Sequence, residues 1–255
     1  MITGLLIAVT STLLVSPTAA IRLGTVTGGL LAQQIPETYI QQIFADPRIE
    51  VYPPPVVSTS TAAARKVNWK QIKKTLLKKD SVARGKAFIS ANRSDFANAT
   101  AQYGVSKESL TAVMRIETNL GLFTGRTPVF NVFASGVINA SKARWNVQAR
   151  NLTALVRYCY ENNIDCLNLK GSYAGAFGLS QFLPHSVVTW GVDGDKDGTI
   201  DLFNPKDVIP TTANFLKVHG WGTTTASRKK ALAAYYGSSK GYPDVTLSYG
   251  EALKR

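Results

Sequence analysis

Glu117 occupies a position where a carboxyl group is costly to charge. Leu110, Val113 and Met114 precede it by seven, four and three positions, so a helix places all three on its face. Ser106 can cap that helix, Glu108 suits its positive first turn, and Gly121 lies at its end. Desolvation on such a face favours the protonated form and raises the pKa, as a general acid acting on a sugar leaving group requires. On spacing alone, a structural carboxylate that pairs with a buried arginine or caps another element fits equally well.

Two further stretches carry chemistry. Asp193-Gly194-Asp195-Lys196-Asp197-Gly198-Thr199-Ile200 places aspartates at alternating positions, then a glycine for the sharp turn, then an apolar anchor. This is the opening of an EF-hand calcium loop, in which hard oxygen ligands converge on one cation; Thr199 stands at position seven. Position twelve is Asn204 instead of the bidentate glutamate, so the loop departs from a calcium sensor. The other stretch, Gly171 to Pro184, sets Ser172, Tyr173 and Gln181 among glycines and alanines that let backbone and a bulky ligand approach closely. Gly178-Leu179-Ser180 lacks the second glycine of a nucleophile elbow, and His185 and His219 lack metal-ligand spacing.

The motifs Glu117-Thr118-Asn119-Leu120-Gly121 and Gly171 to Pro184 resemble, nearly residue for residue, signatures of the B-type membrane-bound lytic transglycosylases. The resemblance runs from about Pro36 to the C-terminus. It implies a lysozyme-like, mainly α (α+β) fold with a single EF-hand-like metal loop. It further implies cleavage of the MurNAc-GlcNAc β-1,4 bond of peptidoglycan with 1,6-anhydro-MurNAc ends, by a lyase reaction without an organic cofactor. Glu117 matches the family's catalytic acid/base, and Ser172 and Gln181 match residues that line its sugar subsites, beside Tyr173. Structural Ca2+ is implied at Asp193, Asp195, Asp197, Thr199 and Asp207. Tyr236-Gly237-Ser238-Ser239-Lys240-Gly241-Tyr242 resembles the family's Tyr-Asn-x-x-x-x-Tyr segment, with Gly237 in place of the asparagine. Tyr236 and Tyr242 can still stack on or bond a sugar.

A usual glycosidase needs two carboxylates. Between Glu117 and the aspartate loop the only other acids are Glu161 and Asp165, neither in a pocket-like motif. That scarcity suits a single-glutamate transglycosylase; the alternatives are a hydrolytic muramidase and a catalytically silent peptidoglycan-binding protein.

The elements that must position these residues are mostly helical. With 255 residues and 45% apolar composition the chain is globular. The first 21 residues carry no charge, and an apolar run precedes Pro17, Thr18, Ala19 and Ala20. This reads as a signal peptide over 1–20, with an uncleaved anchor as the alternative, and export to the periplasm or cell envelope. Residues 21–64 read as an extended segment and connector: Gly24 to Gln34 as mobile, Glu37 to Phe44 as a short helix, Val56 to Ala64 as surface chain. The catalytic domain is expected over 65–255, with an apolar stripe from Trp69 to Phe96 and helices at about Leu152 to Glu161 and up to Gly220.

Net charge is +13, and nine basic residues against Asp80 alone lie between Arg65 and Lys86. Such a balance favours an anionic partner: peptidoglycan glycan strands, or a membrane or anionic envelope surface. No nucleic-acid motif accompanies it. The chain is expected to be a monomer. Cys159 and Cys166 are compatible with a disulfide or with buried thiols.

Overall fold

The computed structural model describes residues 16–53, 67–237 and 241–255. The apolar run before Ser16, the connector after Pro53, Arg65 and Lys66 of the basic run, and Ser238 to Lys240 lie outside the described residues. Helices dominate, as expected, and among the described residues the sheet is one antiparallel pair. The chain forms two compact units, neither continuous in sequence.

The first unit takes the described residues up to 53 with Gly125–Phe177 and Gln181–Thr189. Its helices are α1 (Pro17–Ala32), α2 (Glu37–Phe44), α7 (Val129–Asn139) and α8 (Trp145–Glu161). Gly24 to Gln34, expected as mobile chain, is helical almost throughout. Ser16 caps α1, and Ala19, Leu23, Val26, Thr27 and Leu30 recur at helical spacing and are buried. That burial, against α7 and α8, outweighs the helix cost of Gly24, Gly28 and Gly29. Arg22 donates to the carbonyls of Val137, Ile138 and Ala140, satisfying the end of α7. The N-terminal segment thus packs with the middle of the chain. The sheet joins β1 (Thr127–Pro128) to β2 (Lys170–Gly171). Cys159 and Cys166 are buried free thiols.

The second unit takes the described residues from 67 to Thr124 with Gly178–Ser180 and Trp190–Arg255. Its helices are α3 (Trp69–Leu76), α4 (Lys79–Ala91), α5 (Arg93–Tyr103), α6 (Lys107–Thr118), α10 (Pro205–Val218), α11 (Thr225–Tyr236) and α12 (Gly241–Lys254); α9 (Pro184–Trp190) runs to its boundary. The stripe from Trp69 to Phe96 is thus three helices. Helix α6 lies against α12, α4 and α5, and α10 against α5, with α3 also packed on α12. Leu76, Ala112, Val245, Tyr249 and Leu253 form its apolar centre. Among the described residues, no helix is long and apolar enough to cross a membrane.

Candidate active site

Helix α6 carries Glu117 one residue before its end. Ser106 caps it as expected, accepting from the Ser109 amide. Leu110, Val113 and Met114 are fully buried. The helix stops through two left-handed residues, Asn119 (φ 56°) and Leu120 (φ 61°), followed by Gly121 (φ 90°). Thr118 makes this ending specific. Its hydroxyl donates to the Leu179 carbonyl at 2.7 Å and accepts from the Gly121 amide at 2.9 Å.

Residues 178–180 are in turn clamped within the same unit. The Leu179 amide donates to the Leu202 carbonyl, Tyr235 donates to the Ser180 carbonyl at 2.5 Å, and Thr212 donates to the Ser180 hydroxyl at 2.9 Å. Gly178 has φ 76°, and a Cβ there would lie 2.4 Å from Cβ of Leu202, so glycine is required. Ser180 is fully buried and serves this scaffold.

Glu117 opens on a cleft of about 380 Å³ that it shares with Trp69, Ile72, Leu76, Arg115, Ile116 and Tyr236. The residue keeps some exposed surface, but its carboxyl is densely surrounded. Burial pushes its pKa up to about 7, against which the Tyr242 hydroxyl pulls down. Tyr242 donates to Oε1 at 2.8 Å. The alternative of a carboxylate paired with a buried arginine finds no support among the described residues: Arg115, two positions before Glu117 on α6, forms no ion pair there. Glu161 and Asp165 are engaged on the first unit, with Arg157 at 2.8 Å and Arg48 at 2.7 Å. Glu117 can therefore hold a proton near neutrality and release it.

Tyr242, expected to stack on or bond a sugar, lies in the interior beside the acid. It is 0% exposed, and its hydroxyl is bonded to Glu117. Tyr236 remains accessible, 41% exposed, and stacks on Tyr242 with centroids 4.5 Å apart. Gly237 caps α11 at φ 87°, a conformation an asparagine side chain would not share as freely.

Ser172, Tyr173 and Gln181 belong to the first unit, so the glycine-rich run is divided between the two units. The Ser172 hydroxyl accepts from the Ala176 amide at 3.1 Å and holds a tight turn. Tyr173 is 88% exposed. Gln181 has φ 52° and follows the 178–180 clamp, with Phe177 and Phe182 exchanging two amide bonds of 3.0 Å across the loop. Gly175 must be small, since a Cβ would lie 2.5 Å from the Phe133 ring.

The aspartate loop is in the second unit. One carboxylate oxygen each from Asp193, Asp195 and Asp197 lies within 4.8 Å of the others. Asp193 accepts from the amides of Asp197 and Gly198, and Asp197 from the amide and hydroxyl of Thr199. Lys206 pairs with Asp195 at 3.2 Å, leaving Oδ1 of Asp195 buried without a partner. Asp207 does not join this cluster. It is 1% exposed, and its two oxygens accept from the amides of Gly194 and Asp201, which fastens the loop to α10. The Thr199 hydroxyl donates to Asp197, which leaves the Thr199 backbone carbonyl as the group that position seven of such a loop supplies.

Sequence reasoning missed Thr118, Tyr235 and Trp69. Thr118 was visible beside the glutamate, but a hydroxyl in a helix shows no partner until the chain folds. Trp69 was read only as part of an apolar stripe.

Residues 25–237 match the family model described as the transglycosylase SLT domain. The chain is 31% identical over 167 residues to the membrane-bound lytic murein transglycosylase B of Escherichia coli, a match covering 66% of this chain. That match covers 46% of the relative, so the chain spans about half the length of the curated relative it matches. The lytic transglycosylase SLT35 of E. coli, solved in complex with calcium, superposes with a TM-score of 0.77 at 21% identity, covering 93% of each chain. SltB3 of Pseudomonas aeruginosa, solved with NAG-anhNAM-pentapeptide, gives 0.67 at 24% identity, covering 81% of this chain and 54% of that one. These two share the fold. With most of its length matched by the family model and its glutamate seated in an apolar cleft, the chain belongs to the transglycosylase SLT domain family, among the B-type lytic murein transglycosylases.

Proposed function

We propose that this protein is a peptidoglycan lytic transglycosylase that cleaves the MurNAc-GlcNAc β-1,4 bond and leaves a 1,6-anhydro-MurNAc end. The observation that carries this reading is one carboxyl group, Glu117, held protonated near neutrality by burial and oriented by Tyr242, with no second carboxylate beside it among the described residues. Protonated Glu117 gives its proton to the glycosidic oxygen, and the bond from that oxygen to the muramyl anomeric carbon breaks. The Glu117 carboxylate then accepts the proton of the muramyl 6-hydroxyl as its oxygen bonds to the same carbon. No water is consumed. The SltB3 complex with an anhydromuramyl peptide supports this product class.

Ser172, Tyr173, Gln181 and Tyr236 are proposed as sugar contacts. Tyr173 and Tyr236 offer exposed aromatic faces, and Gln181 offers an amide on a rigid loop. Calcium is proposed at Asp193, Asp195 and Asp197. Their converging hard oxygens and the unpartnered Oδ1 of Asp195 suit that ion, and the calcium complex of SLT35 supports it. When bound, the ion supplies charge neutralisation that keeps the loop folded. Export to the periplasm or envelope fits the relative's description as membrane-bound. The exposed cations of α3, α4 and the turn between them, among them Lys73, Lys74, Lys78 and Lys79, suit an anionic envelope surface.

Mass spectrometry of muropeptides released from purified peptidoglycan tests the reaction. Anhydro ends are expected from the wild type and no release from Glu117→Gln. Reducing ends alone would make the protein a hydrolase, and binding without release would make it a wall-binding protein.

A further inference from the structure

Tyr242 holds Glu117, and Trp69 in turn packs on Tyr242. The Trp69 ring meets Tyr242 edge-on at 5.8 Å and 83°, and meets Tyr236 at 5.2 Å and 79°. Tyr236 and Tyr242 are themselves stacked, so the three rings form one cluster over the carboxyl's partner. Backbone geometry supports the arrangement independently. A Cβ at Gly241 would lie 2.1 Å from the Trp69 ring, so only glycine admits the indole there. Asn68 caps α3 by accepting from the Gln71 amide, which fixes Trp69 at the helix start. From α3, Trp69, Ile72 and Leu76 then supply an apolar wall of the cleft that contains Glu117.

We infer that Trp69 is a positioning residue that keeps water from the Glu117 carboxyl and so directs the second half of the reaction to the sugar's own hydroxyl. This rests on the reaction proposed above. Once the glycosidic bond is broken, the carboxylate can deprotonate either the muramyl 6-hydroxyl or a water molecule at the same place. The hydroxyl is already tethered to the reacting carbon, and excluding water removes its only competitor. The Tyr242 hydroxyl on α12 donates to Glu117, Tyr235 on α11 is near enough to feel its charge while bonding Ser180, and Tyr236 and Arg115 line the same cleft. Helix α3 lines the cleft with no ionisable side chain, only Gln71 and Thr75 besides its apolar residues. Its contribution is therefore exclusion of solvent.

The test compares wild type, Trp69→Phe, Trp69→Ala and Gly241→Ala on purified peptidoglycan, after circular dichroism confirms folding. Two quantities are read: the ratio of anhydro to reducing ends, and the pH at which activity falls on the alkaline side. Trp69→Ala is expected to release reducing ends and to move the alkaline limb down by about one pH unit, because a hydrated carboxyl ionises more readily. Gly241→Ala, which displaces the indole from the other side, should shift both in the same direction even if Trp69→Ala fails to fold. Trp69→Phe should stay near wild type. Unchanged product ratio and unchanged limb in a folded Trp69→Ala or Gly241→Ala variant would overturn the inference. Reducing ends from the wild type would overturn the transglycosylase reading instead.

Discussion

Glu117 is placed so that its protonation links catalysis to stability. Its folded pKa of about 7 lies above the ordinary 4.5, so the neutral form is favoured in the fold. The stability from this group is therefore complete below pH 4.5 and is lost as pH rises through 7. At pH 8 the wild type carries the cost of a charged carboxylate in an apolar cleft, which Glu117→Gln avoids. That variant should be more stable by about 1–3 kcal/mol at pH 8, the difference vanishing near pH 4.5, as measured by urea denaturation at both values. Activity of the wild type should fall above neutrality as the acid loses its proton. Tyr242→Phe retains the ring stack but removes the donor that favours the carboxylate. Its alkaline limb should move upward in pH, and kcat should fall about ten- to a hundredfold because the carboxyl is less well aimed. A limb that stays in place would deny Tyr242 its hold on Glu117.

At the scale of elements, the end of α6 and residues 178–180 act as one piece. Thr118→Val keeps the shape but strands the buried Leu179 carbonyl, with an expected cost of about 1–3 kcal/mol in urea denaturation. Gly178→Ala should cost about 3 kcal/mol or more, since it combines a left-handed backbone with a clash against Leu202. The helix itself was legible, because the cap at Ser106, the apolar spacing and Gly121 are local signals. The left-handed pair Asn119 and Leu120 was not. Leucine in that conformation is set by the bonds of Thr118, which depend on a segment sixty residues away in the chain. Helix α1 shows the same limit from the opposite side. Small and polar residues from Gly24 to Gln34 suggested mobile chain, and packing against α7 and α8 offsets the helix cost of the glycines among them. Leu23→Ala should therefore destabilise the first unit by about 2–5 kcal/mol, a cost that mobile chain would not register.

For the whole molecule, the aspartate loop is where a ligand should be felt. Asp193, Asp195 and Asp197 repel one another, and an ion bound to the folded form alone must stabilise it. Calcium at a hundred times its Kd is expected to add about 2.7 kcal/mol, seen as a raised Tm that chelator reverses and Asp195→Ala erases. Identical melting curves with calcium and chelator would leave the loop an acidic turn. Asp207→Asn should behave differently, lowering Tm with or without calcium, because Asp207 fastens the loop through two backbone amides.

The sequence by itself determined the helical character, the acid on the greasy helix face and the aspartate cluster, because each depends on periodicity or spacing within about a dozen residues. Residue type and local conformation suffice for those. Tertiary structure alone decided that the Tyr242 hydroxyl bonds Glu117, that Asp207 binds backbone amides, and that Ser172 and Gln181 belong to a different compact unit from the acid. It also decided the part played by Trp69. Each of these turns on which side chain claims a hydroxyl, an oxygen or a ring face, and the claimants lie far apart in the chain. Spacing does not encode that competition; packing resolves it.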